Sequence, residues 1–248
     1  MKLHFFICLL FLFFSCEKQE LQQSKTELIF GENGKLLDSL LTPYVNELRN
    51  LTDNEAGLAI GITKGNEIIY AKTFGYANIE KASKTNFNSV FHIASLSKPF
   101  TAFAIAKLIQ QGKLELEDPI VKFIPELKMQ GGNYNLITIK HILTHTSGIP
   151  ANISLDDWTK PSYGEDALNE NIEALKKHSL DFEPGTQFNY SNSAFDILGI
   201  VIGRASGKSF SEYLKINILE PAGMTQSTFK KPKDTIPTNW AVPYSYGL

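Results

Sequence analysis

Apolar residues recur every three or four positions in several stretches of the chain, and this spacing predicts helices. The first stretch runs from Leu36 to Leu48, where Pro43 either interrupts the helix or starts a second one. The second, residues 100–111, is apolar nearly all round, so we expect a buried helix that Gly112 ends. Further helices are predicted at residues 139–143, 167–177 and 194–205, and after the capping pair Ser209 and Glu212.

Two β-rich runs, residues 58–63 and 68–70, flank a Gly65-Asn66 turn and predict an antiparallel hairpin. Two strands alone are marginally stable in water, and a helix that is buried all round needs more sheet to lie against. Either further strands lie hidden in the middle of the chain, or more sequence once followed Leu248.

The N-terminus carries a ten-residue apolar run, residues 5–14, after Lys2. This run is too short to span a bilayer, which takes about 20 residues, and it is typical of an export signal. Ser15 and Cys16 follow, and this order resembles a bacterial lipoprotein signal, in which the cysteine is acylated. The resemblance implies an exported protein, lipid-anchored at Cys16 to a bacterial membrane and facing the periplasm or the cell exterior. The alternative is an ordinary cleaved signal with Cys16 as a bystander.

Composition and motifs argue against nucleic-acid binding, a disulfide framework and a metal site. The chain has 24 basic and 26 acidic side chains, so no basic excess favours nucleic-acid binding. Its two cysteines, Cys8 and Cys16, both lie in the leader, which leaves no disulfide framework for the rest of the chain. No cofactor or metal motif is found. His141 and His145 are four apart, but Ile142 stands where a zincin needs glutamate, so packing or turn roles are favoured.

Ser95 and Lys98 form a Ser-x-x-Lys motif that leads into an apolar helix. Residues three apart share a helix face, so the amine lies beside the hydroxyl, and the helix N-terminus stabilises negative charge. The same pattern at Ser15/Lys18 and Ser227/Lys230 has no such helix after it. The alternative is that Ser95 caps the helix and Lys98 is solvated. Apolar neighbours on the face of Lys98 argue against this, because a buried lysine must be paired or neutral.

Tyr190 and Asn192 lie in a turn directly before the predicted helix at 194–205. A tyrosine beside a cationic lysine could shuttle a proton, and an asparagine side chain offers both a donor and an acceptor to a substrate amide. The alternative is a core tyrosine and a turn asparagine.

Taken in order, several segments resemble the serine β-lactamase-related family, the branch with class C β-lactamases, D-Ala-D-Ala carboxypeptidases and related esterases. The segments are residues 91–102, 112–119, 137–148 and 184–192, which include Ser95-Leu96-Ser97-Lys98, His145-Thr146-Ser147-Gly148 and Tyr190-Ser191-Asn192. The resemblance implies an α+β fold of the β-lactamase/transpeptidase-like type, with an antiparallel sheet flanked by helices plus a helical domain.

The resemblance also implies roles. Ser95 is the acylated nucleophile and its amide is half of the oxyanion hole, Lys98 and Tyr190 manage the proton, and Asn192 holds a peptide, β-lactam or ester substrate. It divides the chain into a signal peptide (1–15), a polar tether (16–30) and a hydrolase domain (31–248).

The family's third motif, Lys or His followed by Thr or Ser and then Gly, has no match after Asn192. We therefore expect a domain whose C-terminal strands are missing. The alternative to a serine hydrolase is an inactive remnant, or a protein that binds peptides or peptidoglycan.

Overall fold

A computed structural model describes residues 26–52, 54–151, 153, 165–230 and 237–244. The predicted signal peptide and Cys16 lie outside these residues. The chain divides into two compact units, one formed by Met1–His92 with Pro237–Leu248 and the other by Ile93–Ile236.

The first unit combines one long helix with short strands. In chain order these are β1 (Glu27–Ile29), α1 (Gly31–Leu51), β2 (Leu58–Lys64), β3 (Glu67–Phe74), β4 (Tyr76–Asn78) and β5 (Ser83–Lys84). One antiparallel sheet has the order β1-β3-β2, and β4 pairs with β5. The predicted hairpin is confirmed as β2 and β3, and Gly65 turns between them with a φ of 62° that glycine adopts without strain. Strand β1 lies within residues 16–30, the segment predicted as a tether, and pairs with β3.

Helix α1 lies against β3 and continues through Pro43 without a break. Gly34 allows the close approach, because a Cβ atom there would lie 2.4 Å from the carbonyl oxygen of Ile69. An ion pair of 2.9 Å between Lys72 Nζ and Asp38 Oδ1 joins the helix to the strand. The opposite face of α1 is apolar but exposed, and it carries Leu36, Leu40, Tyr44 and Leu48.

The second unit is helical and holds the larger core. Its helices are α2 (Ser97–Gln110), α3 (Ile139–Leu143), α4 (Glu165–Leu175), α5 (Asn192–Ser206) and α6 (Phe210–Leu214), followed by a π-helical turn, Lys215–Leu219. All five of these helices were predicted, α6 from its capping pair, although α4 was placed at residues 167–177, two residues later than it lies. Helices α2 and α5 pack directly on each other and contribute fully buried side chains such as Ile105, Leu108, Ile197 and Leu198. One expectation is wrong: α2 is not buried all round, since Phe103 is 60% exposed.

Candidate active site

Ser95 lies in a 3-10 turn, Ala94–Leu96, that runs directly into α2. The turn starts at Ala94 with φ 46°, a left-handed conformation that is uncommon for a residue with a side chain. The Ser97 hydroxyl donates to the Ala94 carbonyl oxygen at 2.6 Å and holds the turn. Ser95 is thereby exposed at the start of the helix, one turn before Lys98.

Lys98 is half-buried and paired. Its ammonium group donates to Asn192 Oδ1 at 2.6 Å and reaches Ser95 Oγ at a longer 3.4 Å. The ammonium also lies 4.8 Å from the centre of the Tyr190 ring and 5.5 Å from that of Phe195, within the range of cation–π attraction. The partners that a lysine in this position requires are therefore supplied by residues from the start of α5.

Tyr190 completes the cluster. Its hydroxyl donates to Ser95 Oγ at 2.7 Å, although the two residues are far apart in the chain. Burial opposes ionisation of the phenol, but the hydrogen bonds with Lys98 and Ser95, together with the charge of Lys98, outweigh it. The pKa of Tyr190 accordingly lies below its usual value of 10. The structure thus brings the predicted hydroxyl, ammonium and phenol groups within hydrogen-bonding reach of one another.

Asn192 is the first residue of α5, and Ser191 caps that helix by accepting from the Ala194 amide at 3.0 Å. The sequence suggested Asn192 as a substrate-binding residue, and the structure shows in addition that its Oδ1 atom accepts from Lys98. The side chain therefore links the first turns of α2 and α5.

A loop running from His145 to Ala151 holds the Tyr190 segment in place. The His145 carbonyl oxygen accepts from the Asn189 amide at 2.9 Å, and the Ala151 carbonyl oxygen accepts from the Asn192 amide at 2.8 Å. Gly148 lets the loop pass close to the chain, because a Cβ atom there would lie 2.1 Å from the Phe182 carbonyl oxygen, and its φ is 76°.

His145 is the residue near the site whose part in it the sequence reasoning missed. Its ring contacts Tyr190, Phe195 and Phe188 with centroid distances of 4.5, 5.0 and 5.9 Å, so the interpretation as a packing residue is confirmed. Nothing in periodicity or composition shows that the rings packed against it include Tyr190. The available signal was its place in the segment His145-Thr146-Ser147-Gly148.

The sequence profile of the family described as Beta-lactamase matches residues 37–247. The chain belongs to the β-lactamase family. The resemblance seen in the motifs is therefore confirmed, and with it the α+β, β-lactamase/transpeptidase-like fold class.

Relatives within the β-lactamase family carry several names. Protein flp of Staphylococcus aureus is 36% identical over 176 residues, which are 71% of this chain and 35% of that protein. The octameric penicillin-binding protein homologue from Pyrococcus abyssi superposes with a TM-score of 0.66 at 33% identity, covering 78% of this chain and 44% of that one. EstCE1, a hydrolase with promiscuous acyltransferase activity, has a TM-score of 0.63 at 26% identity, covering 76% and 53%.

The family is one of serine hydrolases, and the chain spans about a third of the length of the curated relatives it matches. Among the described residues, no group of three histidine, cysteine, aspartate or glutamate side chains could hold a metal ion. No helix in the described ranges is both long and apolar enough to cross a bilayer. Ser227 and Lys230 of the competing motif lie outside the helices of the described residues, and Ser15/Lys18 falls outside the described residues altogether.

Proposed function

We propose that this chain is a serine hydrolase that acts by acyl transfer through Ser95. The observation that carries the proposal is the convergence on Ser95 Oγ of the Tyr190 hydroxyl at 2.7 Å and the Lys98 ammonium at 3.4 Å. A serine hydroxyl is a weak nucleophile until a neighbouring base takes its proton, and these are the groups positioned to do so.

The reaction would begin from the ionised form of Tyr190, in which the phenol has released its proton to solvent. Ser95 Oγ then attacks the substrate carbonyl carbon while its own proton passes to the phenolate oxygen. Lys98 favours this step, because its positive charge stabilises the phenolate form of Tyr190 that accepts the proton. Tyr190 then returns the proton to the leaving amine or alcohol as the carbonyl–leaving-group bond breaks. Water enters, loses a proton to the same phenolate and attacks the acyl-enzyme, which releases the acid and restores the Ser95 hydroxyl.

The backbone amide of Ser95 is proposed as one donor to the oxyanion that forms in each step. Asn192 keeps Lys98 oriented through its Oδ1 atom, and its amide nitrogen is proposed to bind a carbonyl oxygen of the substrate. The proposed substrates are a D-peptide, a β-lactam or a simple ester, since all three pass through the same kind of acyl-enzyme. Names of relatives that include a penicillin-binding protein homologue and EstCE1 are in keeping with this range.

The test is covalent labelling followed by mass spectrometry of the intact 248-residue chain. An activated aryl ester and a penicillin are offered separately to wild type, Ser95→Ala, Tyr190→Phe and Ser227→Ala. The last variant is the matched control, because Ser227 belongs to the competing Ser-x-x-Lys pattern and is exposed. Wild type and Ser227→Ala should gain the acyl mass, Ser95→Ala should gain none, and Tyr190→Phe should react at least about 100-fold more slowly.

The second candidate is a protein that binds peptides or peptidoglycan without turning them over. The observation that favours it is that one relative, from Pyrococcus abyssi, is named a penicillin-binding protein homologue and not a hydrolase. Labelling of neither wild type nor Ser95→Ala would favour this second candidate, and equal labelling of both would refute acyl transfer through Ser95.

Export and lipid anchoring at Cys16 are proposed on the leader sequence alone. Mass spectrometry of the mature N-terminus from membranes should find an acylated cysteine as residue one. An unmodified Cys16, or cleavage at another position, would refute the anchor.

A further inference from the structure

His145 contacts the residues before, at and after Tyr190. Its carbonyl oxygen accepts from the Asn189 amide at 2.9 Å, its ring lies 4.5 Å from the Tyr190 ring at an angle of 33°, and its Nδ1 atom accepts from the Ser191 amide at 3.3 Å. The side chain and backbone of His145 thus hold the three residues Asn189, Tyr190 and Ser191, and Tyr190 is the middle one.

The backbone of His145 is left-handed, with a φ of 56°. This conformation costs about 1–2 kcal/mol for a residue with a side chain, and histidine is among the few residues besides glycine that adopt it more often than most. Residues other than glycine keep this conformation where the surrounding structure holds them in it, and they cluster at functional sites. Here the surroundings are the ring faces of Tyr190 and Phe195.

The protonation state of His145 suits a hydrogen-bond acceptor. Burial, and then the nearby charge of Lys98, lower the pKa of the imidazole below its usual 6.5, so the ring is neutral at pH 7. Because Nδ1 accepts from the Ser191 amide, the single ring proton is assigned to Nε2. Among the described residues, the charged or titratable groups that face the His145 ring and its aromatic neighbours are Lys98 from α2 and Tyr190 from the segment before α5.

We infer that His145 is a positioning residue that holds the Tyr190 hydroxyl on Ser95 by its ring contact with Tyr190 and its hydrogen bonds to the flanking amides. The inference deepens the proposed function and rests on it for its kinetic consequence, but not for its structural one. His145 itself takes no proton from the substrate and acts through Tyr190. A displacement of about 1 Å at a reacting group can reduce a rate by about 100-fold, so a holder of this kind has a large effect.

Two variants separate the contacts. His145→Asn suits the left-handed backbone and offers Oδ1 to the Ser191 amide, but it removes the ring. His145→Phe keeps a ring and removes the acceptor. The matched control is His178→Asn, which makes the same exchange at an exposed histidine in the turn after α4. Circular dichroism establishes whether each variant is folded. If His145→Phe does not fold, His145→Asn is still compared with wild type and with His178→Asn.

The first measurement is the titration of the Tyr190 phenol by NMR, with ¹³C at Cζ of tyrosine and Tyr190→Phe as the assignment standard. It does not depend on catalysis. In wild type and His178→Asn the pKa of Tyr190 should lie below 10, and in both His145 variants it should return toward 10 as the contacts with Lys98 and Ser95 loosen. The second measurement is the acylation rate with the aryl ester. The maximal rate should fall about 10- to 100-fold in His145→Phe, and less in His145→Asn, with little change in the half-saturating concentration.

The outcomes distinguish the two proposals. If wild type takes no acyl group but Tyr190 titrates as expected in all variants, the proposed function fails and the positioning role stands. If folded His145 variants keep both the wild-type Tyr190 titration and the wild-type maximal rate, the positioning role is refuted, whatever the function of Ser95.

Discussion

Ala94, the residue before Ser95, has a left-handed backbone with φ 46°. A side chain in this region costs about 1–2 kcal/mol, and glycine avoids the cost. The strained residue turns the chain so that Ser95 enters the 3-10 turn exposed.

Replacing Ala94 by glycine should therefore leave the free energy of unfolding unchanged or raise it by up to about 1 kcal/mol, since relief of strain offsets the added freedom of the unfolded chain. The control is Ala106→Gly on the exposed side of α2, where the same exchange should lower the free energy of unfolding by about 1 kcal/mol. Urea denaturation measures both. Equal losses in the two variants would mean that Ala94 is not strained.

At the same scale, the sequence identified Ser95 and Lys98 because three-residue spacing on a helix brings two side chains together. Helix spacing could not predict the contact between Tyr190 and Ser95, because the two residues are 95 positions apart and their contact depends on how α2 packs on α5. Only the family resemblance supplied it. His145 was assigned correctly to packing, but the identity of its ring partners is a tertiary property.

At the scale of the elements, the N-cap residue of α5, Ser191, also forms a hydrogen bond to the loop from His145 to Ala151. The Ser191 hydroxyl accepts from the Ala194 amide and donates to the Pro150 carbonyl oxygen, both at 3.0 Å, and the side chain is fully buried. Helix α6 has a simpler cap, in which Ser209 accepts from the Glu212 amide.

Ser191→Ala should lower the free energy of unfolding by about 2 kcal/mol, because it removes a cap and also leaves the part-buried Pro150 carbonyl oxygen without its donor. Ser209→Ala removes a cap and only a long hydroxyl contact of 3.4 Å with Ser211, and it should cost about 1 kcal/mol. Thermal or urea denaturation compares the two. A smaller loss at Ser191 than at Ser209 would contradict the double role of Ser191.

Helix α5 is also joined to a loop by Arg204, whose guanidinium pairs with Glu126 and donates to the Phe123 carbonyl oxygen. The hydrogen bond from Arg204 lowers the pKa of Glu126 from 4.5 to about 2. The contribution of the pair is therefore full above about pH 4.5 and is lost as the pH falls toward 2. Both side chains are more than a third exposed, so solvent screens the pair and the contribution stays below about 1 kcal/mol.

Glu126→Gln should lower the stability at pH 7 and should make no difference near pH 2. The measurement is the difference in urea midpoint between wild type and variant from pH 7 to pH 2. A difference that does not shrink with falling pH would show that the pair does not set the pKa of Glu126.

At the scale of the molecule, apolar helical side chains of the described residues differ in burial, with a packed core in the second unit and an exposed apolar face on α1 in the first. Leu198 of α5 is fully buried, whereas Leu40 of α1 is 61% exposed. Periodicity alone did not distinguish these cases, because both stretches have helical spacing of apolar residues.

Leu198→Ala should lower the free energy of unfolding by about 2–5 kcal/mol through lost burial and the cavity left behind. The same truncation at Leu40 should change it by less than about 0.5 kcal/mol. Equal effects, measured by urea denaturation, would mean that the α1 face is covered in solution.

Helices of three turns or more and the hairpin were predictable, because local periodicity determines them. Strands β1, β4 and β5 were missed, since each has at most three residues and forms by pairing with distant chain rather than by its own pattern. The exposed face of α1 and the long-range partners of the site were missed for the same reason: they are decided by tertiary packing.

Ser95 lies directly before α2 and Lys98 lies in its first turn. Tyr190 lies directly before α5, and Asn192 is the first residue of α5. Helices α2 and α5 pack directly on each other. All four side chains are therefore held in place by the same helix–helix packing. Any fluctuation that separates α2 from α5 would move all four groups apart at once. Hydrogen exchange of the slowly exchanging amides in α2 and α5 should then measure the same opening.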